Sequence, residues 1–271
     1  MSKSKRVLVI SDTHCGARTG LTPPAWQYSA DSEGQRAKWR AIQGGCWDWY
    51  VNTLKSIGPV DAIFANGDLI DGRAERSGGS ELLTTDREEQ CAIAAFCIRQ
   101  AQTMVRGKNK TSVVMTYGTP YHGGILEDWE RFVADEVGAE KIGGHEYPEV
   151  NGLVFDMKHK VGSSTIPHGR HTAVARERLW GQLWGERGDA PKGQVIIRSH
   201  VHYYDFCGGP GWLALTTPAL QSFGSKYGSR QCSGLVDFGM LTFDVDADGS
   251  YSFTPHLAQI SEMQPKKLVL F

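Results

Sequence analysis

Three strand-like segments recur along the first half of the chain with helical stretches between them, and each segment stops at a cluster of polar or turn residues. Residues 7–10 are a continuous apolar run ending at Ser11-Asp12. Residues 60–65 stop at Asn66-Gly67-Asp68, and residues 113–117 stop at Gly118-Thr119-Pro120. Short apolar runs bounded by turn residues suit strands buried in a core. Between the first two, Trp39, Ile42, Cys46, Trp49, Tyr50 and Leu54 recur at helical spacing. They predict a helix over 35–56 with a weak point at Gly44-Gly45. Asp86, with Glu88 and Glu89 behind it, predicts a capped helix over 86–105, and a further helix covers 126–137.

Beyond residue 140 the pattern turns strand-rich. Asn151-Gly152 between Val150 and Leu153 is a hairpin signal. Strands are expected over 153–160, 194–206, 212–217, 235–245 and 251–258, with a turn at Asp246-Ala247-Asp248-Gly249 and a helix over 170–184. Residues 15–32 and 72–85 carry the glycines and prolines of loops. Strand–helix alternation followed by many strands predicts a layered α/β fold with strands stacked as a sandwich between helices. A single domain over 1–271 is expected, with a loop and helix insertion around 15–56 and a short C-terminal tail at Lys266-Lys267 and 268–271.

Composition narrows the function classes. Lys and Arg total 29 against 30 Asp and Glu, so no broad field of one sign marks a general nucleic-acid coat. Cys15, Cys46, Cys91, Cys97, Cys207 and Cys232 form no Cys-x-x-Cys pair, which argues against a thiolate zinc site and for reduced, mostly buried thiols. The first apolar run is too short for a signal-peptide core, and no run approaches the ~20 residues that span a bilayer. A soluble, cytoplasmic protein with no membrane partner is expected.

The chemistry-bearing residues fall at strand ends, where open α/β sheets place their ligand sites. Asp12 and His14 follow the first strand, Asp68 and Asp71 the second, and Thr119 and His122 the third. His159 lies near the end of the strand after the hairpin, and His200 and His202 are expected on one strand, alternate residues on one face. His168 competes with His159, but it follows Pro167 in a Gly-rich loop. Carboxylates and imidazoles so gathered suit a pair of divalent ions ~3.5–4 Å apart, which neutralise a phosphate ester and lower the pKa of water. Mixed nitrogen and oxygen donors admit manganese, favoured here, or zinc, iron, cobalt or nickel.

The set Asp12-Thr13-His14, Gly67-Asp68-Leu69-Ile70-Asp71, Gly118-Thr119 with His122, His159 and His200-Val201-His202 resembles the calcineurin-like metallophosphoesterase superfamily. That family shows Asp-x-His, Gly-Asp-x-x-Asp, Gly-Asn-His, a lone His and a closing His-x-His. The run 118–123 with Pro218-Ala219-Leu220-Gln221 also resembles a subgroup found in phages and prophages, which would place the protein in a host bacterial cytoplasm. The resemblance implies two mixed β-sheets flanked by helices. It implies that Asp12, His14 and His202 hold one metal, that Asp68 bridges, and that His159 and His200 hold the second. It implies a catalytic His122 oriented by Asp71, with metal-bound hydroxide as nucleophile. Thr119 replaces the family's Asn, so either its hydroxyl ligates, or His122 moves onto the metal, or water fills the gap.

The implied activity is hydrolysis of a phosphate ester, with phosphodiesters of nucleotides or DNA favoured. A phosphomonoesterase or protein phosphatase is the nearest alternative, and a non-catalytic metal-binding subunit of a larger assembly is the other. Gly72 stands where protein phosphatases of the family carry Arg, which disfavours that branch. In the segment 163–178, Arg170 is a candidate phosphate ligand through its guanidinium fork. Trp180 and Trp184 are expected in the core, and His145, His171 and His256 as ordinary hydrogen-bonded residues.

Overall fold

A computed structural model of the protein describes residues 3–107, 110–164, 166–222, 236–259, 267 and 269. The expectations for Cys232, for the start of the strand at Leu235, and for most of the C-terminal tail lie outside the described residues. The strands are β1 (Lys5–Ile10), β2 (Ala62–Asn66), β3 (Ser112–Thr116), β4 (Lys141–Gly143), β5 (Glu149–Val150), β6 (Leu153–Met157), β7 (Val195–Arg198), β8 (Asp205–Gly209), β9 (Trp212–Thr216), β10 (Gly239–Val245) and β11 (Tyr251–Leu257). The helices are α1 (Gly34–Ile57), α2 (Arg87–Met104), α3 (Pro120–Gly123), α4 (Trp129–Val137) and α5 (Arg170–Arg187).

The strands form two mixed sheets. The six-stranded sheet runs β11-β10-β1-β2-β3-β4, and the five-stranded sheet runs β5-β6-β7-β9-β8. Strand alternation explains the layering. Leu8, Ile10, Ile63, Ala65, Val113 and Met115 face one way and pack on α1, α2 and α4. Val7, Val9, Ala62 and Phe64 face the other way and meet Phe155, Met157, Val195, Ile197, Leu213 and Leu215 of the second sheet. Ile196 and Ala214 turn outward onto Ala173 and Val174 of α5. The molecule is therefore an α/β sandwich of two mixed sheets flanked by helices, as expected.

Local chemistry sets the element ends. Asp86 caps α2 by accepting from Glu88 N at 2.9 Å and Glu89 N at 3.4 Å. Asn151 and Gly152 both take left-handed backbone, φ 49° and 84°, in the β5–β6 hairpin. α1 runs unbroken through Gly44-Gly45 because its buried face, Ile42, Cys46, Tyr50 and Leu54, is held by the sheet.

Three expectations are corrected. The stretch 194–206 is two strands, not one: β7 ends at Arg198, whose register partner Thr216 is the last residue of β9. His200 and His202 then lie in a turn with φ 74° and 54°, a backbone that cannot continue a strand. Trp180 is 48% exposed, so it stacks on Trp184 at the surface of α5 rather than in the core. The strand β4 and the short helix α3 were not foreseen, because neither is long enough to show a period.

Candidate metal centre

The carboxyl ends of β1, β2, β3, β6 and β7 converge, and the loops leaving them carry the site. Apart from Ala74 and Asn151, the non-glycine residues with left-handed backbone among the described residues are Asp12 (φ 49°), His14 (43°), Asp68 (49°), His200 (74°) and His202 (54°). Such a conformation is costly for a residue with a side chain and persists only where its surroundings hold it. Here the holding contacts are visible. Asp12 N donates to Gly67 O at 3.0 Å, His14 N to Asp68 O at 3.0 Å, and Ser199 N to His159 O at 2.7 Å.

Three groups of donor atoms result, each within 4.8 Å of one another: Asp12, His14 and His202; His14, Asp68 and His122; Asp68, His159 and His200. Asp12 Oδ1 lies 3.2 Å from His202 Nε2, and His14 Nε2 lies 3.2 Å from His202 Nε2. On the other side, Asp68 Oδ2 lies 2.9 Å from His159 Nε2 and 3.7 Å from His200 Nδ1.

Hydrogen bonds behind the ligand atoms set the tautomers. A carbonyl or an ionised carboxylate can only accept, so the imidazole nitrogen facing it carries the proton. His159 Nδ1–H donates to Asn66 O at 2.7 Å, and His14 Nδ1–H to Asp71 Oδ1 at 3.0 Å. The Nε2 atoms of both rings are thereby aimed at the centre, as metal-binding histidines require. His122 Nδ1–H donates to the backbone O of Asp71 at 2.8 Å, which leaves its Nε2 4.0 Å from Asp68 Oδ2. Asp71 thus meets His122 through its carbonyl and spends its carboxylate on His14.

The electrostatics are those of a buried, uncompensated cradle. Asp12, Asp68, His14 and His159 are buried. Burial works to raise the Asp12 carboxyl, but His159 and His202 override it and hold it at about 2. Burial works the same way at Asp68, and His159 and His122 bring it well below the ordinary carboxylate range. Burial and the neighbouring His122 lower His14. Burial would also lower His159, but Asp68 and Asp12 raise it to about 10. Asp12 Oδ1 and His159 Nε2 have no aligned hydrogen-bond partner, although His159 Nε2 sits close to Asp68. Orphaned buried donors and acceptors are rare in folded proteins and call for a missing partner. Carboxylate oxygens and imidazole nitrogens facing one another across these gaps fit a divalent cation.

Thr119 supports Asp68: its N–H donates to Oδ1 at 2.6 Å and its hydroxyl to the same atom at 3.1 Å. Arg170, the candidate phosphate ligand, is not among the residues lining the cavity above the donors; its guanidinium carbon lies 4.3 Å from the Tyr203 ring centre. Residues without a sequence signal complete the site. Glu130 of α4 is buried and accepts from Leu69 N at 2.8 Å and Gly118 N at 2.6 Å, bracing the loops of Asp68 and Thr119 together. Asn66 donates to Ser199 Oγ at 2.7 Å while its carbonyl holds His159. The cavity of about 480 Å³ is also lined by Arg76, Tyr121, Lys160 and Gln221.

No family model matches the chain, and no curated protein matches it. Solved structures do. A structure described as a novel archaeal phosphodiesterase is 12% identical with a TM-score of 0.43, covering 93% of this chain and 99% of that one. Vps29 from Entamoeba histolytica in complex with zinc is 12% identical with a TM-score of 0.42, covering 93% and 98%. Vacuolar Protein Sorting 29 from Cryptosporidium parvum is 11% identical with a TM-score of 0.43, covering 95% and 99%.

Proposed function

We propose that the protein is a metal-dependent phosphoesterase acting on phosphodiesters. The observation that carries this reading is the pair of adjoining donor groups, Asp12–His14–His202 and Asp68–His159–His200, with buried Asp12 Oδ1 and His159 Nε2 unsatisfied between them. The first group would hold one divalent ion, the second another, and Asp68, facing both sides, would bridge them. When bound, two such ions neutralise the ester's charge and make water a competent nucleophile at neutral pH.

The chain supplies the rest. His122 borders the cavity with its Nδ1–H fixed by the Asp71 carbonyl. Burial would lower its pKa, but Asp68 and Asp71 raise it, which favours a proton on Nε2 toward the cavity. As the phosphorus–oxygen bond breaks, that proton passes to the departing oxygen. Thr119 and Glu130 keep Asp68 and the third-strand loop in register for the transfer. No helix among the described residues is long and apolar enough to cross a membrane. A phosphate ester is the substrate that the paired donor groups suit.

The test is to strip the protein of metal and assay bis-p-nitrophenyl phosphate and p-nitrophenyl phosphate with added manganese, zinc or magnesium. Diester turnover restored by metal and lowered at least about a thousandfold by Asp68→Asn is expected. Monoester turnover alone would move the protein to the phosphatase branch. Tightly held metal with no turnover would support the non-catalytic reading.

A further inference from the structure

The cavity over the metal cradle carries cations that the hydrolytic scheme does not use. Arg76 and Lys160 both line it. Arg76 sits in the short turn Glu75–Ser77, and its N–H donates to Tyr121 Oη at 2.9 Å. Its guanidinium carbon lies 5.2 Å from the Tyr121 ring centre, a cation–π contact. Tyr121 in turn meets His122 edge-on, ring centres 4.8 Å apart. Arg76 is thus docked on the helix that carries His122. Lys160 directly follows His159, so its Cα lies about 3.8 Å from that of a cradle residue.

Among the described residues, neither Arg76 nor Lys160 has an ion-pair partner. The neighbouring arginines do: Arg73 lies 3.9 Å and Arg87 2.8 Å from Glu127. Both side chains are exposed to solvent and line the cavity. In the hydrolytic scheme the scissile diester, with its single negative charge, is met by the metal cradle, so Arg76 and Lys160 suit a further anionic group beside it.

We propose that the substrate carries a second phosphate beside the scissile diester, as in a phosphorylated oligonucleotide, and that Arg76 and Lys160 receive it. This rests on the phosphoesterase reading and names its substrate class. The guanidinium suits two phosphate oxygens at once, and its stacking on Tyr121 fixes it beforehand.

The test compares ligands that differ by one phosphate on the metal-loaded protein. Calorimetric binding of thymidine 3′,5′-bisphosphate and thymidine 5′-monophosphate gives one ratio. The kcat/KM values for 5′-phosphorylated and unphosphorylated thymidine dinucleotide give another. Both are expected to favour the extra phosphate by about tenfold or more, the scale of a charge-assisted contact. Arg76→Gln combined with Lys160→Gln should bring both ratios to within about twofold of unity, while Arg73→Gln should preserve them. Equal affinity for the paired ligands in the unmodified protein, or ratios untouched by the double substitution, would overturn the proposal. Turnover of bis-p-nitrophenyl phosphate, which has no second phosphate, separates the failures. If it persists, only the proposal falls; if it is absent and neither nucleotide binds, the phosphoesterase reading falls as well.

Discussion

Glu130 shows how a residue with no motif can govern the site. Its burial, with Asp68 nearby, raises the carboxyl from its ordinary 4.5 to about 7, against the pull of N–H donors from Gly118 and Leu69. The folded chain therefore binds a proton there that the unfolded chain has released. Stability from this group is present below about pH 4.5 and is lost as pH rises toward 7, by about 3 kcal/mol at most at 1.36 kcal/mol per pH unit. Urea unfolding of the metal-free protein at pH 5 and 7.5 should show that slope, and Glu130→Gln should flatten it. Identical slopes would mean that Glu130 is not the group responsible. His159 makes a complementary prediction. Raised to about 10 by Asp68 and Asp12, it is protonated at pH 7 before any ion arrives. Metal uptake must expel that proton, so affinity should rise about tenfold per pH unit between pH 6 and 8. A metal titration in weak buffer that released no proton would contradict this.

At the scale of elements, the turns after the strands do what the strands cannot. Gly67 has φ 77°, and a Cβ there would lie 2.7 Å from His159 Nδ1 and from Gly118 Cα. Gly118 is as tight: a Cβ on it would overlap the side chain and backbone nitrogen of Asp68. Gly67→Ala should therefore destabilise by about 2–4 kcal/mol, the sum of left-handed strain and overpacking, and should weaken metal binding together with stability. Asp86→Ala removes only the cap of α2 and should cost about 1 kcal/mol in urea unfolding with metal affinity unchanged. The cap was legible because its signal is local: one Asp and the acidic residues behind it. The place of His200 and His202 was not. An apolar stretch from 194 to 206 carries strand periodicity whether or not pairing continues, and pairing stops where β9 stops.

Across the whole molecule, the donor groups join the two sheets. Asp12 and Asp68 leave β1 and β2 of the six-stranded sheet, whereas His159, His200 and His202 follow β6 and β7 of the five-stranded one. Ions held there would fasten the sandwich at one end, while the Phe64–Phe155–Phe243 contacts, each 5.3 Å between ring centres, hold its middle. Saturating metal at about a hundred times its Kd should add about 2.7 kcal/mol per site and raise Tm by several degrees; a chelator should reverse the shift. A melting temperature indifferent to metal and chelator would argue against ions joining the sheets.

By itself the sequence determined the layered α/β class, the hairpin at Asn151-Gly152, the capped start of α2 and the ordered set Asp12, His14, Asp68, His122, His159, His200 and His202. These are readable because apolar periodicity, turn chemistry and donor residues at strand ends are local properties of the chain. Only the tertiary structure decided which atoms face one another. It gave the Asp71 carboxylate to His14 and the Asp71 carbonyl to His122, turned Arg170 onto Tyr203, set Glu130 between the loops of Asp68 and Thr119, and brought Arg76 and Lys160 to the cavity. Those partnerships join segments far apart in sequence, and their geometry follows from how two sheets pack. No spacing along the chain encodes it.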